Sequence, residues 1–220
     1  MPMTELLLTL DCSNRWTCLG LVADGQAAGA ESLDLGRAQA AELPLAVDGL
    51  LQQHGFGVSD ITLLGVTVGP GYFTGIRIGM AYAAALAFAL GVSVVPLSSL
   101  EVVLRSFPGW QDGVKVPLIA ASRDAAFSSV WKDGHQAAAE KERTREELFA
   151  ALRGISSEFT LCSVKDRRLF AASSCEGVKF TEHPDAAAAA LLAWQHRDER
   201  IKPDMLRARY LREPGLGRSL

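Results

Sequence analysis

The chain has 220 residues, 49% of them hydrophobic, which is ample for a packed core in one large domain or two small ones. Its formal net charge of -3 gives no overall basic field, so autonomous, tight nucleic-acid binding is disfavoured on electrostatic grounds. Cys12, Cys18, Cys162 and Cys175 lack CxxC spacing and read as reduced thiols, and without a basic n-region or an adequate apolar run at the start a cytoplasmic location is expected.

Leu6–Asp11, Thr17–Ala23 and the region around Gln26–Leu33 predict three strands of an antiparallel meander, with Asp24 and Gly25 turning the second into the third. Residues 39–54 carry Leu43, Val47, Leu50 and Leu51 at helical spacing, and Gly55 and Gly57 end that helix. Residues 61–68 are apolar and β-branched, the composition of a strand buried on both faces. The run Gly69-Pro70-Gly71-Tyr72-Phe73-Thr74-Gly75-Ile76-Arg77-Ile78-Gly79 then turns into an alanine-rich helix that reaches Leu90. Pro70 fixes one backbone angle, Gly69 and Gly71 admit positive φ, and Thr74 stands where an N-cap would accept a bond from an N–H near Arg77.

Two readings of this turn are open. Exposed N–H groups and Arg77 would hold an anion or nucleotide, with Asp11, Gly69, Gly71, Thr74 and Gly75 as the other candidate contacts. Alternatively the glycines serve close backbone packing in a tight connection, since neither a Walker pattern nor GxGxxG is present. Residues 78–95 are uncharged and approach membrane-spanning length, but Gly91 breaks them into a helix end and a buried strand at 92–95, so no membrane partner is expected.

The second half repeats the series in weaker form. Residues 98–106 predict a helix capped by Ser98 or Ser99, 108–113 a loop, and 116–121, 127–132 and 136–141 strands, with Asp133-Gly134 as the hairpin turn. Thr144 and Glu147 form a capping-box pattern opening a helix at 144–153; 159–163 is strand-like, Val178 lies in a short apolar stretch, and 184–196 is an alanine-rich helix. From Lys202 an extended basic tail carries Arg207, Arg209, Arg212 and Arg218, either solvated or contacting a partner or phosphate through Arg209 and Arg212.

Three hairpin strands followed by helix, strand, helix and strand is the layout of a ribonuclease H-like lobe. The expected fold is therefore α/β, a two-lobed actin-like ATPase architecture with mixed sheets and a reduced second lobe. Its expected divisions are an N-terminal lobe at 1–105, a smaller related lobe at 106–201, and the tail at 202–220. The chemistry of an enzyme is sparse. His54, His135, His183 and His196 are isolated, with no HExxH or HxxxH pair, so no metal site is expected. Asp11 ends the first strand, where an actin-like ATPase places a magnesium-linked carboxylate; the following Cys12-Ser13-Asn14-Arg15-Trp16 lacks paired glycines, and Asp11 reads either as that carboxylate or as a hairpin cap. Ser13, Ser98 and Ser99 sit in no GxSxG elbow, so no catalytic residue is assigned.

Leu8-Thr9-Leu10-Asp11-Cys12-Ser13, the glycine block, the strand ending in Pro96 with Leu97-Ser98-Ser99-Leu100, and Tyr210-Leu211-Arg212 resemble the TsaB (YeaZ) family in family order across nearly the whole chain. The resemblance implies a part in making N6-threonylcarbamoyladenosine beside the anticodon of tRNAs that read codons beginning with adenine. It implies a non-catalytic partner of TsaD, the metal-binding transferase subunit, joined by the ATPase TsaE, with tRNA reached only through the complex and a homodimer formed when TsaD is absent. The HxxxH pair of TsaD falls here on Ser99 and Val103. Arg37, Leu43, Val47, Arg77, Met80, Ala83, Ala84 and Ala87, on the two first-lobe helices, are the implied partner interface, although Gly79, Ala83, Ala84 and Ala87 could equally serve packing inside the lobe, and a nucleotide at that interface is the one cofactor the resemblance suggests. Two departures stand out: Ala38 replaces a family histidine, and Ala121-Ser122-Arg123-Asp124 replaces an Asp-Ala-Arg strand followed by an acidic residue and tyrosine. The alternatives from other classes are a residual ATPase or sugar-kinase-like enzyme using Asp11 and the glycine loop, and a tRNA-binding module using the arginine tail.

Overall fold

The computed structural model describes residues 5–166, 168, 169 and 177–211. The first half forms β1 (Leu6–Asp11), β2 (Thr17–Ala23), β3 (Gln26–Leu33), α1 (Gln39–Gln53), β4 (Ile61–Gly69), α2 (Phe73–Leu90), β5 (Ser93–Ser98) and α3 (Ser99–Arg105). The second forms β6 (Val114–Ala120), β7 (Ala125–Lys132), β8 (His135–Thr144), α4 (Arg145–Arg153), β9 (Thr160–Val164), β10 (Val178–Thr181) and α5 (Ala186–Gln195).

The two sheets have the same topology. The first has the order β3-β2-β1-β4-β5 and the second, read from its own meander, β8-β7-β6-β9-β10. In each, the meander is antiparallel and the last two strands join in parallel. The second half is thus an architectural copy of the first, and the fold is the mixed α/β, two-lobed arrangement expected. It is reduced: α4 stands where α1 does, while among the described residues no helix stands between β9 and β10 where the first half has α2.

β1 is buried along its whole length, and its side chains alternate between two cores as a strand requires. Leu6, Leu8 and Leu10 join Leu43, Val47, Leu50, Leu51, Ala83 and Ala87 under α1 and α2. Leu7 points the other way, with Val22, Leu63, Val95 and Leu97, against Val102 of α3 and Ala189, Ala190, Leu192 and Ala193 of α5. Chain order assigns α5 to the second lobe, yet it packs across β1, β2 and β3 of the first. Its alanines explain how: a Cβ on Gly20 would meet the Ala186 carbonyl and stand 2.7 Å from the Ala190 methyl, and one on Gly65 would stand 2.7 Å from that of Ala193. Helix and sheet approach too closely for larger residues. Reciprocally, α3 follows the first sheet but contacts β6, β7 and β9 of the second. The second half's last helix thus covers the first sheet, while α3 bridges the two sheets.

The caps follow the sequence where polar side chains provide them. Ser98 accepts from the Glu101 N–H at 3.3 Å, and Thr144 and Glu147 form the reciprocal box. α2 by length and composition is apolar enough to cross a membrane; here it packs on β4 and ends at Gly91 in the left-handed conformation. The C-terminal segment, described as far as Leu211, makes a short 3-10 turn at Pro203–Met205 and is anchored to the first lobe. Val94 and Ile201 exchange backbone bonds of 2.8 and 2.9 Å, Leu206 is buried in the first core, and the Arg209 N–H donates to the Val68 carbonyl at 2.7 Å. Cys175, Arg212 and Arg218 lie outside the described residues.

Candidate interaction face and interlobe cavities

The glycine turn is fastened to the loop between β1 and β2. The Tyr72 N–H donates to the Ser13 carbonyl at 2.7 Å. A Cβ on Gly71 would collide with that same carbonyl, one on Gly75 with the carbonyl of Cys12, and one on Gly69, whose φ is 115°, would stand 2.6 Å from the Arg209 carbonyl. Three glycines thus serve three close backbone approaches, the packing reading of the turn. The Gly69–Pro70 peptide is cis. Because the Ser13 bond pins Tyr72, the chain becomes helical at Phe73; Tyr72 occupies the N-cap position without a side-chain bond. Thr74, expected at the cap, is instead the second helical residue.

Asp11 is buried and accepts from the Ser13 N–H and the Thr67 hydroxyl, both at 2.8 Å. Burial pushes its carboxyl above the ordinary range against the opposing pull of those bonds. It ties the end of β1 to β4 and is not among the residues lining either cavity described next.

A cavity of about 560 Å³ lies between the lobes, lined by Ser13, Trp16, Tyr72, Val103, Leu118 and Asp166 among others. A second, of about 750 Å³, lies beside the glycine turn and includes Arg37, Gln39, Thr74, Gly75, Arg209 and Tyr210. Tyr72 and Arg168 border both. The Tyr72 hydroxyl donates to Asp166 at 3.4 Å, the Arg168 guanidinium lies 4.3 Å from the Tyr72 ring centroid, and Arg168 pairs with Asp166 at 2.8 Å, so the lobes meet at this cluster. They meet again at Glu140 of β8, which accepts from the Ser98 hydroxyl and, at 2.8 Å, from Arg209.

The residues expected at the partner interface divide by burial. Leu43, Val47, Ala83 and Ala87 lie inside the lobe's own core, and Met80 and Ala84 are half-buried against it. These four core residues cannot meet a partner without unfolding the lobe, a correction that follows from which stripe of each helix faces the sheet. Arg37 and Arg77 are exposed. The outward stripe consists instead of Leu45 on α1, 67% exposed, and of Phe73, Ala81, Ala85 and Phe88 on α2, with Phe88 84% exposed. An exposed leucine directly opposite the Leu43 and Val47 stripe was a readable signal for that outer face. Met205 and Tyr210 of the C-terminal segment, 60% and 41% exposed, flank α2. Among the described residues no group of three or more His, Cys, Asp or Glu side chains converges. Ser99 and Val103 are buried on α3; Ala38 precedes α1, and 121–124 form a tight turn in which the Ala121 and Ser122 N–H groups donate to the Ala125 carbonyl.

Residues 34–144 match the family model described as TsaD, tRNA N6-adenosine threonylcarbamoyltransferase. The curated tRNA threonylcarbamoyladenosine biosynthesis protein TsaB of Haemophilus influenzae is 30% identical over 157 residues, 71% of this chain and 64% of that protein. TsaB of Bacillus subtilis is 31% identical over 87 residues, 40% of this chain and 38% of that protein. The chain therefore spans less than two thirds of the length of these curated relatives. Among solved structures, a Pseudomonas aeruginosa protein with similarity to peptidase YEAZ superposes with a TM-score of 0.79 at 23% identity, covering 94% of this chain and all of that one. YeaZ from Pseudomonas aeruginosa gives 0.74 at 22% with the same coverage. Ethanolamine utilization protein EutJ from Carboxydothermus hydrogenoformans gives 0.50 at 11%, covering 86% of this chain and 90% of that one. At such identities these neighbours speak for the fold, which is actin-like. The family model covers half of this sequence, including α1, the glycine turn and α2, and the chain belongs to the TsaB (YeaZ) branch of the TsaD-related family.

Proposed function

We propose that this chain is a non-catalytic scaffold subunit for tRNA N6-threonylcarbamoyladenosine synthesis, docking on a TsaD-like subunit through the outer faces of α1 and α2. The observation that carries the reading is that outer face: Leu45, Phe73 and Phe88 stand exposed among alanines on two helices whose other sides are committed to the core. Exposed aromatics near the two ends of α2, with exposed alanines between them, suit helix-to-helix docking. A TsaE-like ATPase would join the pair, tRNA would be met through the complex, and without a partner the same face would support a homodimer in the cytoplasm. Docking would activate the transferase only by favouring one of its conformations, since equal affinity for both shifts nothing. The burial of Asp11 and the packing of Gly71 and Gly75 against the preceding loop favour this reading over a residual ATPase.

The test is co-purification with the TsaD-like subunit of the same organism, followed by tRNA threonylcarbamoylation with and without this chain. A stable complex with chain-dependent activity is expected, and Leu45→Asp with Phe88→Asp should abolish both while leaving the melting temperature unchanged. Failure to form the complex, or activity indifferent to this chain, would refute the scaffold role.

A further inference from the structure

Arg77, Phe73 and Tyr210 form an ordered cluster at one end of the docking face. The Arg77 guanidinium carbon lies 3.7 Å from the Phe73 ring centroid, its Nε donates to the Tyr210 hydroxyl at 3.1 Å, and the two rings lie 5.4 Å apart. The first turns of α2 supply two members, and the C-terminal segment supplies the third. That segment is held by the Arg209-to-Val68 bond and by the fit of the Arg209 carbonyl over Gly69. Stacking and the Nε bond fix the plane of the guanidinium while using one of its five N–H donors. Among the described residues no carboxylate lies within ion-pairing distance of Arg77.

We infer that this cluster anchors the docking face by taking a carboxylate of the TsaD-like subunit, an Asp or Glu flanked by apolar side chains. The inference rests on the scaffold reading above and gives its surface a chemistry. A guanidinium with a fixed plane and unpaired terminal nitrogens matches the bidentate geometry of a carboxylate. Its orientation is set before the partner arrives, which lowers the ordering cost of binding. Arginine and aromatic anchors are also the residue types that dominate interface energies. An RNA phosphate would fit the same fork, and Arg15, Arg37, Arg168 and Arg209 line the adjoining cavity; the net charge of -3 and the exposed apolar residues further along α2 favour a protein carboxylate over a polyanion. Ala81, Ala85 and Phe88, exposed on the same row of α2 beyond Arg77, are likewise a protein-facing surface.

The test is calorimetric titration of the full chain with the TsaD-like subunit. Arg77→Gln should weaken binding about 10- to 100-fold and flatten its salt dependence, and Arg77→Lys should recover little of it because an ammonium has no fork. Tyr210→Phe, which removes only the hydroxyl that orients Arg77, should cost less than Arg77→Gln but more than twofold. Neutralising one particular acidic residue of the subunit should add nothing in the Arg77→Gln background. All variants should melt at the wild-type temperature, because the cluster is on the surface. Arg77→Gln binding within twofold of wild type, while Phe88→Ala weakens it, would overturn the anchor and leave the docking face standing. Loss of tRNA binding rather than subunit binding in Arg77→Gln would overturn it in favour of a phosphate. A wild-type chain that does not bind the subunit would overturn the inference together with the scaffold reading.

Discussion

Substituting alanine for glycine should have opposite signs at two helical positions of this chain. Gly75, the third residue of α2, has no room: a Cβ would collide with the Cys12 carbonyl and stand 3.1 Å from Gln39 Oε1. Better helix propensity returns at most about 1 kcal/mol. Overpacking costs roughly 1–3 kcal/mol or more where the wall is backbone. The wall here cannot retreat freely, because moving the loop strains the 2.7 Å bond from the Tyr72 N–H to the Ser13 carbonyl, worth about 1 kcal/mol. Gly75→Ala should therefore destabilise by about 1–3 kcal/mol. Gly49, exposed within α1, has nothing within 4 Å of its Cβ position, and Gly49→Ala should stabilise by about 0.5–1 kcal/mol through propensity and reduced freedom of the unfolded chain. Urea titrations followed by circular dichroism would read both, with midpoints moving in opposite directions at a shared slope. A Gly75→Ala protein as stable as wild type would refute the close-packing account of the glycine turn.

Three other outcomes follow from buried groups and from the contacts between lobes. Burial and the neighbouring Asp11 charge push the Cys12 thiol up to about 12, burial lifts Cys18 further, and Cys162 reaches about 11; iodoacetamide at mildly alkaline pH should spare all three in the native protein and label them in urea, and rapid native labelling of Cys12 by peptide mass spectrometry would contradict the buried site. The raised Asp11 carboxyl means that the folded state keeps this proton to higher pH than the unfolded chain does. Its contribution to stability is complete below the ordinary carboxylate range and lost as pH rises through the raised value. Asp11→Asn should flatten that dependence, whereas Asp11→Ala should cost about 1–3 kcal/mol by orphaning the Ser13 N–H; an unchanged pH profile in Asp11→Asn would refute the assignment. Finally, Arg209→Ala should cost less than about 1 kcal/mol, because the arginine is half-exposed. It should nevertheless speed amide exchange around Glu140 and in 206–211, and unchanged exchange there would show that the contact does not hold the lobes.

Local chemistry was the most legible part of the sequence. The meander turns at Asp24-Gly25 and Asp133-Gly134, the Ser98 cap and the box at Thr144 and Glu147 depend on residues a few positions apart, and each formed where its side chains dictate. The outward face of α2 was only faintly legible because Arg77 is the one charged residue on the helix, and the alanines beyond it carry no polar pattern to say which of them meet the sheet. Ala83 and Ala87 went inward while Ala81 and Ala85 remained outside. Thr74 lost the cap position to Tyr72 through a backbone bond from a loop almost 60 residues earlier, a cause that no local pattern carries. The Arg209–Glu140 contact and the seating of Tyr210 beside Phe73 likewise join segments distant in sequence.

The seating of α5 on the first sheet has a consequence for synthesis at the ribosome. When the first sheet has emerged, one of its faces can close under α1 and α2, but Leu7, Val22, Val95 and Leu97 still lack α5, which ends at Gln195. Translation must run on from Ser98, at the end of β5, to Gln195 before that face is sealed, so folding of the first lobe should be late and concerted with that of the second. A stalled or truncated product would expose a contiguous aliphatic surface of the kind that recruits chaperones and proteases.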